Sequence, residues 1–161
     1  MNTRGLRTLL LCLVLIILHF SVTPLLGWRV TPDFLVIAVL LAAVRLRPGV
    51  AAVTGLVVGL LGDSLLPEAF GVGAFTLTVL GFAASWLKAV FFSDNVMLHA
   101  VFFFGGKWVH DVMSVILHRE LGWGDAAAQL LLWSPLAAGV TAIAGLGLLV
   151  LFRGVLEPPG T

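Results

Sequence analysis

The chain has 161 residues, of which 60% are hydrophobic and 11% are charged, and its formal net charge at pH 7 is +1. Soluble domains carry about 25% charged residues. A mean hydropathy of +1.14 means more apolar surface than a soluble fold could bury. Composition therefore predicts an all-α, polytopic membrane protein. The small net charge argues against nucleic acid as a partner.

Polar residues divide the chain into six apolar segments, which we predict to be six transmembrane helices. Arg4 and Arg7 precede an apolar stretch from about Leu9 to Leu26, as in a signal peptide, but no small-residue cleavage pattern follows it, so we expect a retained helix. All loops are short, so the six spans should form a single transmembrane domain over residues 1–161. The predicted spans are residues 6–26, 32–44, 48–66, 72–91, 96–117 and 126–152.

Two segments depart from the roughly 20 residues that a helix needs to cross a bilayer. The second segment is short, and we expect it to tilt little or to extend into its flanks. The sixth segment is too long for one untilted span. Ser134 and Pro135 within it indicate either a kink or an interfacial start before the true span.

The basic residues predict the orientation. Six spans place both termini on one side of the membrane, and the positive-inside rule assigns the more basic side to the cytoplasm. We therefore predict cytoplasmic termini. The basic residues on that side are Arg4, Arg7, Arg45, Arg47, Lys88 and Arg153.

Polar residues converge in the outer half of the predicted bundle. Asp63 ends a glycine-rich helix, where a carboxylate costs energy; the cost is roughly 3 kcal/mol at the centre of a spanning helix and less near its end. In the fifth span, the spacing places Lys107, His110, Asp111 and Ser114 on one helical face. Lys107 could pair with Asp111 along the helix or reach Asp63 across the bundle, and the sequence leaves both open.

Asp33 adds a third carboxylate near the outer surface. It follows Pro32 at the predicted start of the second helix, where proline and a negative charge both suit the first turn. His19 and His99 lie isolated on apolar segments, and we expect them to be hydrogen-bonded within the bundle. We predict a polar cluster that is either structural or a contact for a ligand or partner. Its members are Asp33, Asp63, Lys107, His110, Asp111 and Ser114.

Glycines indicate where helices approach closely. Gly55, Gly59 and Gly62 follow the spacing i, i+4, i+7 on the third span, and Gly71 and Gly81 accompany the fourth. Faces of small residues let membrane helices pack closely. We predict that these glycines pack helices within the protein, with a partner helix as the alternative.

The sequence contains none of the short motifs of serine hydrolases, zinc peptidases or nucleotide-binding enzymes. Its one cysteine, Cys12, permits no intrachain disulfide and no cysteine-based metal site. We therefore predict a protein that is not an enzyme, with no catalytic, metal-binding or cofactor-binding residues. An intramembrane protease, with Asp63 facing Asp111, is the least favoured alternative.

The segments that hold Asp33 and Asp63 resemble those of the rod shape-determining protein MreD family. The resemblance rests on PDFLVI at residues 32–37, on the Gly-x-x-x-Gly-x-x-x-Asp pattern within GLVVGLLGD at 55–63, and on FGVGAF at 70–75. The order and spacing of these segments are more specific than any one of them. Length and span count also agree with the family, so the resemblance extends over the whole chain.

This resemblance implies a scaffold of the bacterial cell-elongation complex in the inner membrane. The implied partners are MreC, through its transmembrane helix and juxtamembrane region, and through it MreB, RodA and a class B penicillin-binding protein, with membrane lipid around them. The family also resembles the substrate-binding subunits of energy-coupling-factor transporters. That likeness keeps a second function open, a small-molecule-binding membrane subunit of a transporter.

Overall fold

The computed structural model describes residues 3–26, 30–64, 70–87, 95–117 and 123–151, and the regular elements in these ranges are all helices. The prediction of an all-α fold is therefore confirmed for the described residues. A π-helical turn, Gln129–Trp133, separates the last two helices. The α-helices are α1 (Thr3–Leu26), α2 (Phe34–Ala43), α3 (Pro48–Asp63), α4 (Val72–Trp86), α5 (Val96–Leu117), α6 (Trp123–Ala128) and α7 (Ser134–Leu151).

Helix α2 lies at the centre of the bundle. All ten of its residues are buried, and it packs against α1, α3, α4, α5 and α7. Ten residues rise about 15 Å, which is half the thickness of a typical hydrocarbon core. The helix does not extend into its flanks, because residues 31–33 are not helical and the chain turns after Val44. Protein surrounds α2 on every side.

The next three helices begin where the sequence predicts. Helix α3 starts at Pro48 and α4 at Val72, and α5 has the predicted bounds. Helices α3 and α4 end earlier than predicted, at Asp63 and Trp86. The remaining predicted residues of those two segments lie partly outside the described ranges.

The sixth predicted segment, residues 126–152, includes the end of α6, the π-helical turn and α7, and α6 itself begins three residues earlier, at Trp123. The amide of Ser134 donates to the carbonyl oxygen of Gln129, five residues earlier. Pro135 has no N–H, and its ring clashes with the carbonyl four residues before it, which disfavours a regular α-helical turn at this point. The widened π-helical turn relieves that conflict. The sequence signal at Ser134 and Pro135 therefore marks this turn.

Two helical runs among the described residues, Val96–Leu117 and Gly124–Leu151, are long and apolar enough to cross a membrane. The other apolar helical runs have 10–17 residues, and they are Thr8–Val22 within α1, Phe34–Ala43, Pro48–Asp63 and Val72–Trp86. Large apolar side chains cover the outside as well as the inside of the bundle. Leu9 of α1, Val53 of α3 and Phe75 of α4 each expose more than half of their surface. An apolar exterior around an apolar core is typical of a helical bundle in lipid.

Helices α3 and α4 pack over a close contact made by small residues. A Cβ atom added at Gly55 would collide with the backbone carbonyl of Leu77. A Cβ at Gly59 would collide with the backbone of Ala74. Backbone atoms cannot move aside as a flexible side chain can, so both glycines are needed for this helix spacing.

The other glycines of the predicted set have different neighbours. A Cβ at Gly81 would lie 2.6 Å from the carbonyl oxygen of Ala51, which continues the contact between α3 and α4. A Cβ at Gly62 would lie 2.9 Å from the Leu35 side chain on α2. Gly71 precedes α4 with φ of 98°, a left-handed conformation that glycine adopts without strain.

We expect Gly55→Ala to destabilise the protein by about 1–3 kcal/mol, the usual cost of overpacking a tight contact. Thermal unfolding of the purified protein in detergent measures this. Gly49→Ala is the matched control on the same helix, because a Cβ there meets nothing within 4 Å. Equal melting temperatures for the two variants would show that the close contact is not needed.

Candidate functional site

Lys107 is the centre of a buried charge network that joins α2 to α5. Its Nζ lies 2.8 Å from Oδ2 of Asp33 and 2.7 Å from Oδ1 of Asp111. Asp111 lies one turn further along α5, so Lys107 forms one ion pair within its own helix and one between helices. The side chain is 9% exposed. Of the two pairings that the sequence leaves open, the structure shows the pair with Asp111, and the partner across the bundle is Asp33.

Asp33 connects three helices. Its Oδ1 accepts hydrogen bonds from the backbone N–H groups of Leu35 and Val36, both at 3.1 Å, and so caps α2. Its own N–H donates to Oγ1 of Thr141 on α7 at 3.1 Å. Lys107 binds the other carboxylate oxygen. The positive end of the α2 dipole and the lysine ammonium both stabilise the negative charge here.

Two histidines lie beside the carboxylates. Nδ1 of His110 is 3.4 Å from Oδ1 of Asp111, and Nδ1 of His19 on α1 is 4.0 Å from Oδ1 of Asp33. The His19 Nδ1 atom is buried and has no hydrogen-bond partner among the described residues. With neutral histidines, two carboxylates and one ammonium leave the network with one excess negative charge.

Asp63 lies outside this network and caps α4. Its Oδ2 accepts hydrogen bonds from the N–H groups of Gly71 and Ala74, both at 2.9 Å, and its Oδ1 accepts one from Gly73 at 3.1 Å. The residue is 6% exposed. Free amides at the start of a helix form a natural site for a carboxylate. The structure therefore separates Asp63 from the rest of the predicted cluster.

Asp63 also completes the row of small residues on α3. Ala51, Gly55, Gly59 and Asp63 recur at every fourth position and share one face of the helix. A Cβ at Gly73 would collide with the Asp63 carboxylate. The glycines and the carboxylate thus act at one interface, where the glycines allow close approach and Asp63 fixes the end of α4.

Two contacts of the network were not predicted, those of His19 and Thr141. The position of His19 near the outer end of the first span was a usable signal, because it places the ring at the depth of Asp33. Thr141 gave no such signal, since a helical threonine usually bonds to its own backbone. Ser114, which the sequence places in the cluster, lies partly buried on α5 one turn beyond His110.

The geometry supports a structural role for these polar groups. Lys107 binds two carboxylates, and Asp63 accepts three backbone hydrogen bonds. Within the described ranges, no three histidine, cysteine, aspartate or glutamate side chains are placed to hold a metal ion.

The family model of the rod shape-determining protein MreD matches residues 2–105, which is more than half of the chain. The chain belongs to the rod shape-determining protein MreD family. The resemblance found in the sequence is confirmed over residues 2–105. Membership implies a membrane protein with a role in rod shape determination. No curated protein and no solved structure matches the chain.

The match to the MreD family covers some parts of the site and not others. It includes Asp33, Asp63 and the glycine row of α3, and it ends within α5 two residues before Lys107. The carboxylate that caps α2 and the one that caps α4 therefore lie in the MreD-like region. The α5 half of the charge network, with Lys107 and Asp111, follows it.

We expect Asp63→Ala to destabilise the protein by about 2–4 kcal/mol, because three amides at the start of α4 lose their acceptor. Asp63→Asn should destabilise the protein less, since asparagine keeps one carbonyl oxygen as an acceptor. Thermal unfolding in detergent compares them with Asp125→Ala, the same change at an exposed site on α6. A melting temperature for Asp63→Ala equal to that of the Asp125 control would contradict the capping role.

We expect Lys107→Met to destabilise the protein by about 3–5 kcal/mol, because it leaves two buried carboxylates without a cation. Adding Asp33→Asn and Asp111→Asn to the same chain should recover part of the loss, since the unpaired charges are then removed. Chemical denaturation in detergent measures all three proteins. If the triple variant is no more stable than Lys107→Met, charge neutralisation is not what the lysine provides.

Proposed function

We propose that this member of the MreD family is a non-enzymatic scaffold of the bacterial cell-elongation complex. In this role it binds MreC and supports lateral peptidoglycan synthesis and the maintenance of rod shape. The family match over residues 2–105 carries the proposal. The buried polar groups hold helices together, and this structural role supports the proposal.

A scaffold needs a surface whose shape is fixed before the partner arrives, since ordering a surface on binding lowers affinity. Two sets of contacts in the structure hold pairs of helices in fixed positions. Lys107 and Asp33 tie α2 to α5, and Asp63 ties α3 to α4. Both use carboxylates whose hydrogen bonds are made within the bundle, which leaves the outer faces of the helices for lipid and for partner helices.

The proposed topology is six passes through the inner membrane with both termini in the cytoplasm. The distribution of basic residues supports it. So do the two long apolar runs, Val96–Leu117 and Gly124–Leu151, and the apolar exterior. MreC would then link this protein to MreB, RodA and a class B penicillin-binding protein.

The ion pairs favour this scaffold over a ligand-binding subunit of the energy-coupling-factor type. A ligand bound to Lys107 would have to displace one of its two ion pairs, which measure 2.8 and 2.7 Å. Breaking a buried pair is costly, because it leaves an uncompensated charge.

We expect the tagged full-length chain to co-purify with MreC from the same organism in mild detergent and to elute with it as one species. The matched control is MreC whose membrane helix is replaced by an unrelated transmembrane helix. Retention of native MreC and loss of the replaced form is the predicted result. Failure to retain native MreC would contradict the proposed function.

A further inference from the structure

Helix α5 carries a row of side chains with the spacing of a helix-packing seam, and the first four of them are exposed. Alternating steps of four and three residues are the pattern by which one helix inserts its side chains between those of another. Met97, Val101, Phe104 and Trp108 on this row are 74%, 57%, 38% and 42% exposed. The full row, called here the α5 seam, is Met97, Val101, Phe104, Trp108, Asp111 and Val115.

Asp111 distinguishes the α5 seam from an ordinary lipid-facing surface. The row leads from apolar side chains directly to a carboxylate that remains 13% exposed. Among the described residues, both polar contacts of this side chain, with Lys107 and His110, are made through Oδ1. Lys107 is shared with Asp33, so one positive charge serves two negative ones. With His19 and His110 neutral, a second cation at Asp111 would balance the charge of the network.

Gly105 supplies space beside the seam. A Cβ at this position would meet nothing within 4 Å, unlike the glycines between α3 and α4. Glycine within a helix costs roughly 0.5–1 kcal/mol relative to alanine. Packing among the described residues does not explain that cost at Gly105. A notch of this kind lets a second helix approach closely.

Lipid and a second copy of the chain both fit the seam poorly. Lipid tails offer no charge to Asp111, and an incompletely neutralised carboxylate facing them is costly. Two copies packed seam to seam with the same membrane orientation would bring residues of equal depth together. Each Asp111 would then face another Asp111, and like charges repel.

We propose that the α5 seam binds the transmembrane helix of a bitopic partner that places a lysine or arginine side chain against Asp111. This deepens the proposed function and rests on it, with MreC as the partner. The apolar residues of the seam supply the packing surface, Gly105 supplies the close approach, and Asp111 fixes the depth and register of the partner helix.

Site-specific photo-crosslinking in cells tests the position of the partner. A photoreactive phenylalanine analogue is placed at Phe104 or Trp108 in the full-length chain, with MreC co-expressed. The controls are Val53 and Val57 on α3, which are 59% and 51% exposed. We expect crosslinks to MreC from the two seam positions and not from α3. Crosslinks to MreC from α3 alone, to a second copy of the chain, or to no protein would overturn the inference.

Substitutions test the contact itself. We expect Gly105→Leu to lower the amount of MreC retained on co-purification by about tenfold, since the added side chain fills the notch. Gly139→Leu on α7 is the matched control, because a Cβ there also meets nothing within 4 Å. Asp111→Asn should lower retention as well, because the partner's lysine or arginine loses its charged acceptor.

The outcomes separate this inference from the proposed function. If the unsubstituted chain retains MreC and Gly105→Leu retains as much MreC as Gly139→Leu, the α5 seam is not the binding surface, and the scaffold function is unaffected. If Asp111→Asn retains as much MreC as the unsubstituted chain, the charge contact is wrong. Loss of MreC from the unsubstituted chain contradicts the scaffold function and this inference together.

Discussion

Neutralisation of buried charge is the constraint on which this bundle depends. Two carboxylates lie within an apolar helical core, and an unpaired charge in such a place is expensive. Lys107 binds both Asp33 and Asp111. Because Asp33 also caps α2 and donates its N–H to Thr141, the same ion pair fixes the start of the central helix and its contact with α7. The position of α2 therefore depends on a residue of α5 that is distant in sequence.

The contact between α3 and α4 is held without any cation. Helices α3 and α4 approach closely because small residues line both faces, and the Asp63 carboxylate accepts three amide hydrogen bonds at the start of α4. Backbone amides and a helix dipole stabilise this charge in place of a lysine. The bundle thus combines ion pairs that hold α2 with hydrogen bonds that join α3 to α4. Both put polar groups to structural use in the outer half of the predicted bundle.

Local sequence signals predicted the helices well and the long-range contacts poorly. The polar residues between apolar segments predicted where α3 and α5 begin, and the pairing of Pro32 with Asp33 indicated the start of α2. Spacing along one helix also brought Lys107 next to Asp111. Spacing cannot show which helices are neighbours, so it left Lys107 free to reach Asp63, whereas the structure places Asp33 there. Complete enclosure of the ten-residue α2 was equally unpredictable, because it depends on five other helices.

Amide hydrogen exchange, followed by mass spectrometry in detergent, tests the central role of the Lys107 network most directly. Exchange rates report how readily each helix opens. In the unsubstituted protein, α2 should be the most protected segment. In Lys107→Met, exchange should rise first at the start of α2, around Leu35 and Val36, while the hairpin of α3 and α4 keeps its protection. Equal protection of α2 in the two proteins, or an equal rise in every helix, would contradict the account.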